Sequence, residues 1–149
     1  MGITITKLKG HIKPEDIYLF IHKYIDENVS TDIKRSVYGF ISDDKKHLIK
    51  EVYDNSDRVT YVTGIIQFSY NKKSKRLFYR YTNTNSYDRL SYYSKVGLED
   101  MVKSETTELN LEYDIDSVEI IKIITEFFGG WIDENDGDLD SFYWVEKTK

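Results

Sequence analysis

Apolar residues recur along this chain with two periods, and the changes from one period to the other lay out its elements. Ile3 to Leu8 alternates Ile with Thr and predicts an opening strand. Lys13-Pro14-Glu15-Asp16 then places Pro at a first-turn position with two acids behind it, a helix start signal. Ile17, Phe20, Ile21, Tyr24 and Ile25 follow at helical spacing, so a helix is predicted from about 14 to 26 with its apolar face in the core. Residues Ile33 to Ile41 read as a strand, and Ser42-Asp43-Asp44 as a turn or helix cap. Lys46 to Tyr53 fits a helical face and a strand equally well. Val59 to Tyr70 and Arg76 to Thr82, rich in β-branched and aromatic residues, predict a hairpin closed by a basic loop over Asn71 to Lys75.

Residues 83 to 97 are polar and Tyr-rich and read as a long loop or short irregular helix, a length at which loops often carry function. Thr106 to Tyr113 alternates strictly, as a strand with one wet face does. A second helix follows, with Asp116 as its cap and Glu119 as the reciprocal acid. Val118, Ile120, Ile121, Ile123, Ile124, Phe127 and Phe128 form its apolar stripe, and Gly129-Gly130 is a glycine stop. Trp131 and Ile132 restart an extended segment, an acidic turn spans 133 to 140, and Phe142 to Val145 is a last strand. There Tyr143 and Val145 share one face, Phe142 and Trp144 the other. This order is not an alternating βαβ series. It predicts an α+β domain over residues 1–149: a mainly antiparallel sheet of five to six strands with two principal helices packed on one face.

Composition removes several classes of function. With no Cys in 149 residues, disulfide scaffolds, Cys-zinc sites and thiol nucleophiles are excluded. No apolar run approaches the roughly 20 residues a membrane helix needs, and the first residues carry no apolar leader, so the expected location is cytoplasmic. The absence of Ala, with 17 Ile and 16 Lys against 5 Arg, follows AT-rich codons and points to a low-GC bacterium or to a phage or mobile element within one. Charge is polarised: residues 1–97 carry 17 Lys and Arg against 11 Asp and Glu, whereas residues 98–149 carry 4 against 15. Such asymmetry either steers association with an oppositely charged partner or is compensated where the two halves interleave.

The chemistry on offer is that of binding more than of catalysis. Asp133-Glu134-Asn135-Asp136-Gly137-Asp138-Leu139-Asp140 is rich in oxygen, but with Asp133 as first ligand Gly137 falls fifth and Trp144 twelfth, which is not the EF-hand order, and no metal is assigned. Trp131, Phe142, Tyr143 and Trp144 bracket these acids, and Trp and Tyr are enriched at interface hot spots. Lys72, Lys73, Lys75, Arg76 and Arg80, interleaved with Phe78, Tyr79 and Tyr81, have the residue types for phosphates and base stacking. A pI near 5.2 disfavours nucleic acid as the partner. His11, His22 and His47 fall into no metalloprotease spacing, and neither a nucleophile elbow nor a phosphate loop occurs.

The stretch Ile123 to Asp136, IITEFFGGWIDEND, resembles the end of small phage and prophage proteins of low-GC bacteria and, more distantly, immunity proteins that neutralise bacterial toxins. The resemblance is confined to this segment and carries no catalytic residue. Together with the residue chemistry it points to a non-enzymatic acidic protein, of phage counter-defence or immunity type, that binds and inhibits a protein with a basic surface. Trp131, Asp133, Glu134, Asp136, Asp138, Asp140, Tyr143 and Trp144 would form the contact. The alternative is a small-molecule binder, or a small enzyme, acting on a nucleotide-like ligand held by Tyr87, Arg89, Tyr92 and Tyr93. No cofactor is implied, and an open sheet edge with exposed aromatics is compatible with a homodimer.

Overall fold

The computed structural model describes residues 2–40, 58–82, 100–101, 104–135 and 141–148. Seven strands and two helices occur among them: β1 (Ile3–Lys9), α1 (Pro14–Tyr24), β2 (Ser30–Phe40), β3 (Arg58–Tyr70), β4 (Lys73–Thr82), β5 (Thr106–Glu112), α2 (Ile115–Phe128), β6 (Gly130–Asp133) and β7 (Tyr143–Val145). All seven strands join one antiparallel sheet in the order β2-β3-β4-β5-β1-β6-β7. The fold is therefore α+β as the periodicity predicts. The sheet is wider than the expected five to six strands because the extended segment at Trp131 and the last strand, β6 and β7, both pair into it although they are only four and three residues long. The ambiguous stretch 46 to 53 and the Tyr-rich stretch 83 to 97 lie outside the described residues.

Both helices pack on one face. Ile17, Phe20 and Ile21 of α1, with Ile120, Ile121 and Ile124 of α2, bury against Leu8, Ile66, Leu77, Tyr79, Leu109, Leu111 and Ile132. In β1 the alternation runs opposite to simple expectation, because Thr4 and Thr6 face the helices and are fully buried. Their hydroxyls are satisfied: Thr4 donates to the Glu134 carbonyl at 2.8 Å, and Thr6 meets the Thr125 hydroxyl of α2 at 2.8 Å. Ile5, on the other face, packs against a second small core of Met101, Trp131 and Phe142. This interior strand is covered on both sides.

The hairpin between β3 and β4 is tighter than the sequence predicts. Only Asn71 and Lys72 form its turn, both with positive φ, 49° and 65°, the mirror-image turn whose twist matches that of the strands. Lys73, Ser74 and Lys75 thus belong to β4 and not to a solvated loop. Lys72 is a poor residue for a left-handed position that glycine adopts freely. Lys72→Gly should raise stability by about 0.5–1 kcal/mol, read as a higher urea midpoint at unchanged slope.

The start of α2 also differs from expectation. Asp114, not Asp116, is the cap: its Oδ1 accepts the Ser117 N–H at 2.7 Å. Asp116 lies in the first turn, where it accepts from Asn71 and pairs with Lys73, and Glu119 accepts the Tyr70 hydroxyl instead of closing a capping box. At the other end Gly129, at φ 85°, donates to the Thr125 carbonyl and turns the chain into β6. No helix among the described residues is long and apolar enough to cross a membrane.

Candidate functional site: the β7 edge

The glycine stop delivers Trp131 into β6, where it pairs with Lys7 on one side and Trp144 on the other. Alternation in β7 then behaves as its sequence predicts. Val145 packs on the main core, whereas Phe142 and Trp144 turn to the helix-free face, Phe142 into the second core and Trp144 beside it. Among the described residues β7 ends the sheet, paired only with β6. Its two aromatics stay accessible, Tyr143 at 39% and Trp144 at 42% exposure.

Both rings are held in place. The Tyr143 hydroxyl donates to Glu134 Oε2 at 2.6 Å, and the Trp144 indole N–H donates to Glu146 Oε2 at 2.8 Å. Trp144 also rests on Trp131, with ring centroids 4.7 Å apart, and the Lys9 ammonium lies 5.7 Å from the Trp144 centroid and 6.0 Å from that of Trp131. Partial burial and the neighbouring Glu134 carboxylate push the Tyr143 phenol above the ordinary tyrosine range. The Tyr143 hydroxyl and the Lys122 ammonium, 3.3 Å away, hold the Glu134 carboxyl below its ordinary value. At neutral pH the pair is thus a fixed phenol donating to a fixed carboxylate. Ordering these side chains in advance removes part of the entropy that binding otherwise costs.

Two residues expected in the contact are not available to a partner. Trp131 is buried beneath Met101 and Phe142, and Asp133 is buried with its Oδ1 facing the Asn135 N–H at 3.3 Å. Trp131 serves as the platform for Trp144, not as an anchor. Glu134 and Tyr143 meet on the helix-bearing face of the edge and Trp144 lies on the other face, whereas Asp136, Asp138 and Asp140 lie outside the described residues, as do Tyr87, Arg89, Tyr92 and Tyr93. Sequence reasoning missed Lys9, Lys122 and Glu146. The period of two that puts Trp144 and Glu146 on one face was a usable signal for the last.

The polarised charge is in part compensated internally. Lys75 pairs with Asp114 at 2.6 Å, Lys73 with Asp116 at 3.3 Å, and Lys7 and Arg80 share Glu108 at 3.5 and 2.9 Å. Each of these joins a base from the first 97 residues to an acid from the remainder. The basic and aromatic positions of β4 are likewise divided. Tyr79 and Tyr81 point into the core, donating to the Ile12 carbonyl and to Glu105, and Lys75 is buried. Phe78 and Arg80 face the helix-free side, in a groove of about 520 Å³ that Asp32, Lys34, Ile65 and Asn110 also line. Burial alone would raise the Glu108 carboxyl there, but Lys7 and Arg80 outweigh it and keep the group below its ordinary value, a fixed charge and a poor general base. Among the described residues no three His, Cys, Asp or Glu side chains gather as a metal site.

The chain matches no family model, no curated protein and no solved structure.

Proposed function

We propose that this protein is a non-enzymatic binding module that blocks a basic surface on a protein target, of phage counter-defence or bacterial immunity type, and that it does so with its β7 edge. The observation that carries the reading is the pair of half-exposed aromatics on a terminal strand, each fixed by hydrogen bonding to a carboxylate. Interface energy concentrates in such rigid aromatic anchors, and surrounding acids add steering and specificity. The acids at 136, 138 and 140 extend the same stretch of chain toward β7.

Affinity purification of the chain from a low-GC bacterial host, followed by native mass measurement, should return a basic protein at fixed stoichiometry. Trp144→Ser should weaken that complex by about 2 kcal/mol or more, close to thirtyfold, measured at a temperature where the variant is fully folded. Neutralising Asp136, Asp138 and Asp140 together should flatten the salt dependence of binding. Retention of the partner at full affinity by Trp144→Ser and by Tyr143→Ser would sink the assignment. A nucleotide-like ligand is the second reading, favoured by the groove at Phe78 and Arg80. It predicts extra mass of a few hundred daltons on the purified chain and loss of that mass in Phe78→Ala.

A further inference from the structure

The sheet has a second open edge, at the opposite end from β7. β2 pairs only with β3, and among the described residues no strand lies beyond it. Its register runs unbroken from Ser30 to Tyr38 and shifts only between Tyr38 and Phe40. No Pro interrupts this stretch, so its outward N–H and C=O groups form a regular ladder of the kind that pairs with another strand. The usual guard on such an edge is charge, and here that guard is made of both signs: Asp32 and Lys34, exposed side by side on the helix-free face, with Arg35 next.

We propose that this edge pairs with the β2 edge of a second copy, antiparallel, about a two-fold axis at Ile33. Side chains directly opposite each other in an antiparallel pair share a face, so a two-fold axis normal to the sheet sets one residue against its own copy. Axes at Asp32 or Lys34 would oppose identical charges, which is destabilising. The axis at Ile33 does the reverse: Asp32 meets the copy's Lys34, and Lys34 meets the copy's Asp32. Two charge pairs form at the centre of the joint. α1 packs over both β2 and β3, so the two α1 helices would run antiparallel roughly 10 Å apart, a normal packing distance. A cavity of about 330 Å³ bounded by Pro14, Glu15, Tyr18, Thr31 and Ile33 borders this edge, and the second copy would close over it. The dimer would place its two β7 edges roughly 60 Å apart at the ends of one continuous sheet, a bivalent arrangement.

The test is charge reversal read by sedimentation and native mass. Wild type should be a dimer. Asp32→Lys and Lys34→Asp, both at exposed positions, should each weaken it about tenfold or more because every central contact becomes repulsive. Mixing these two variants should restore association as a one-to-one heterodimer of distinct mass, since every contact is then attractive again. A monomeric wild type, single reversals that dimerise as well as wild type, or a mixture that stays monomeric would each overturn the proposal.

Discussion

Asp114→Ala should be among the most damaging single substitutions in this protein, lowering stability by about 3 kcal/mol or more, because one carboxylate serves two groups that cannot do without it. Its Oδ1 caps α2 by accepting the Ser117 N–H, worth about 1 kcal/mol. Its Oδ2 accepts from the Lys75 ammonium at 2.6 Å, and the Lys75 side chain is only 8% exposed. Removing the acid strands a buried cation, whereas removing both partners together leaves nothing uncompensated. Asp114→Asn keeps a good cap and loses only the charge, so it should fall between wild type and alanine. Lys75→Met with Asp114→Asn should recover most of the loss. Urea denaturation of the four proteins at pH 7 provides the check.

The same pair fixes a pH dependence. Partial burial would raise the Asp114 carboxyl, but the Lys75 ammonium and the Ser117 N–H outweigh it and bring the group down to about 2, from an ordinary value of 3.8. A group depressed in the folded state contributes fully above its unfolded value and loses that contribution as pH falls through its folded value. The stability gap between wild type and Asp114→Asn should therefore be constant above about pH 4.5 and close between pH 4 and pH 2. Because Asp114 itself is two-fifths exposed, solvent screening keeps its own share modest, and most of the gap reflects the stranded lysine.

Gly130→Ala is the other large effect. A Cβ there would sit 2.5 Å from the Lys7 carbonyl oxygen and 2.8 Å from the Leu8 Cα, both backbone atoms of the interior strand β1 that cannot swing aside. β6 would have to part from β1, carrying β7 with it and opening the second core around Trp131. A loss of about 3 kcal/mol or more is expected, or failure to fold. The two Trp residues both lie in this region, so a red-shifted emission relative to wild type reports the separation directly. Gly10→Ala is the control: φ is positive there, unlike at Gly130, but nothing stands within 4 Å of the added methyl, and the cost should be nearer 1–2 kcal/mol of backbone strain.

What the sequence disclosed and what it hid divide along physical lines. Long periodic segments were legible: α1, α2, β3 and β5 lie where their apolar spacing puts them, because a period of two or 3.6 sustained over two turns or more has one good solution. The hairpin turn was not, since Asn71-Lys72 lacks the glycine that usually announces a mirror-image turn. Nor was the cap of α2, where Asp114 and Asp116 offer the same chemistry two residues apart and only the tertiary partner Lys75 decides between them. At the candidate site alternation in β7 assigns the faces, Tyr143 with Val145 and Phe142 with Trp144, but not the exposed pair, because the edge leaves one residue of each face accessible while Val145 and Phe142 pack on the two cores. The burial of Trp131 was hidden too, because it depends on Met101 and Phe142 arriving from other parts of the chain. The internal use of the charge asymmetry was hidden for the same reason: Lys75 and Asp114 are far apart in sequence and adjacent only once β4 and the start of α2 are assembled.

The position of β1 bears on how the chain reaches this state. Its two neighbours are β5 and β6, so Ile3 to Lys9 finds no strand partner until segments about a hundred residues downstream exist, whereas the β2, β3 and β4 meander pairs locally. At typical synthesis rates of roughly 5–20 residues per second, an alternating Ile-Thr segment with full β propensity waits about 5–20 s on the ribosome with both edges unpaired. Closure of β5 and β6 around it is therefore a late, non-local step, and this first strand is the part of the nascent chain that stays longest without a partner.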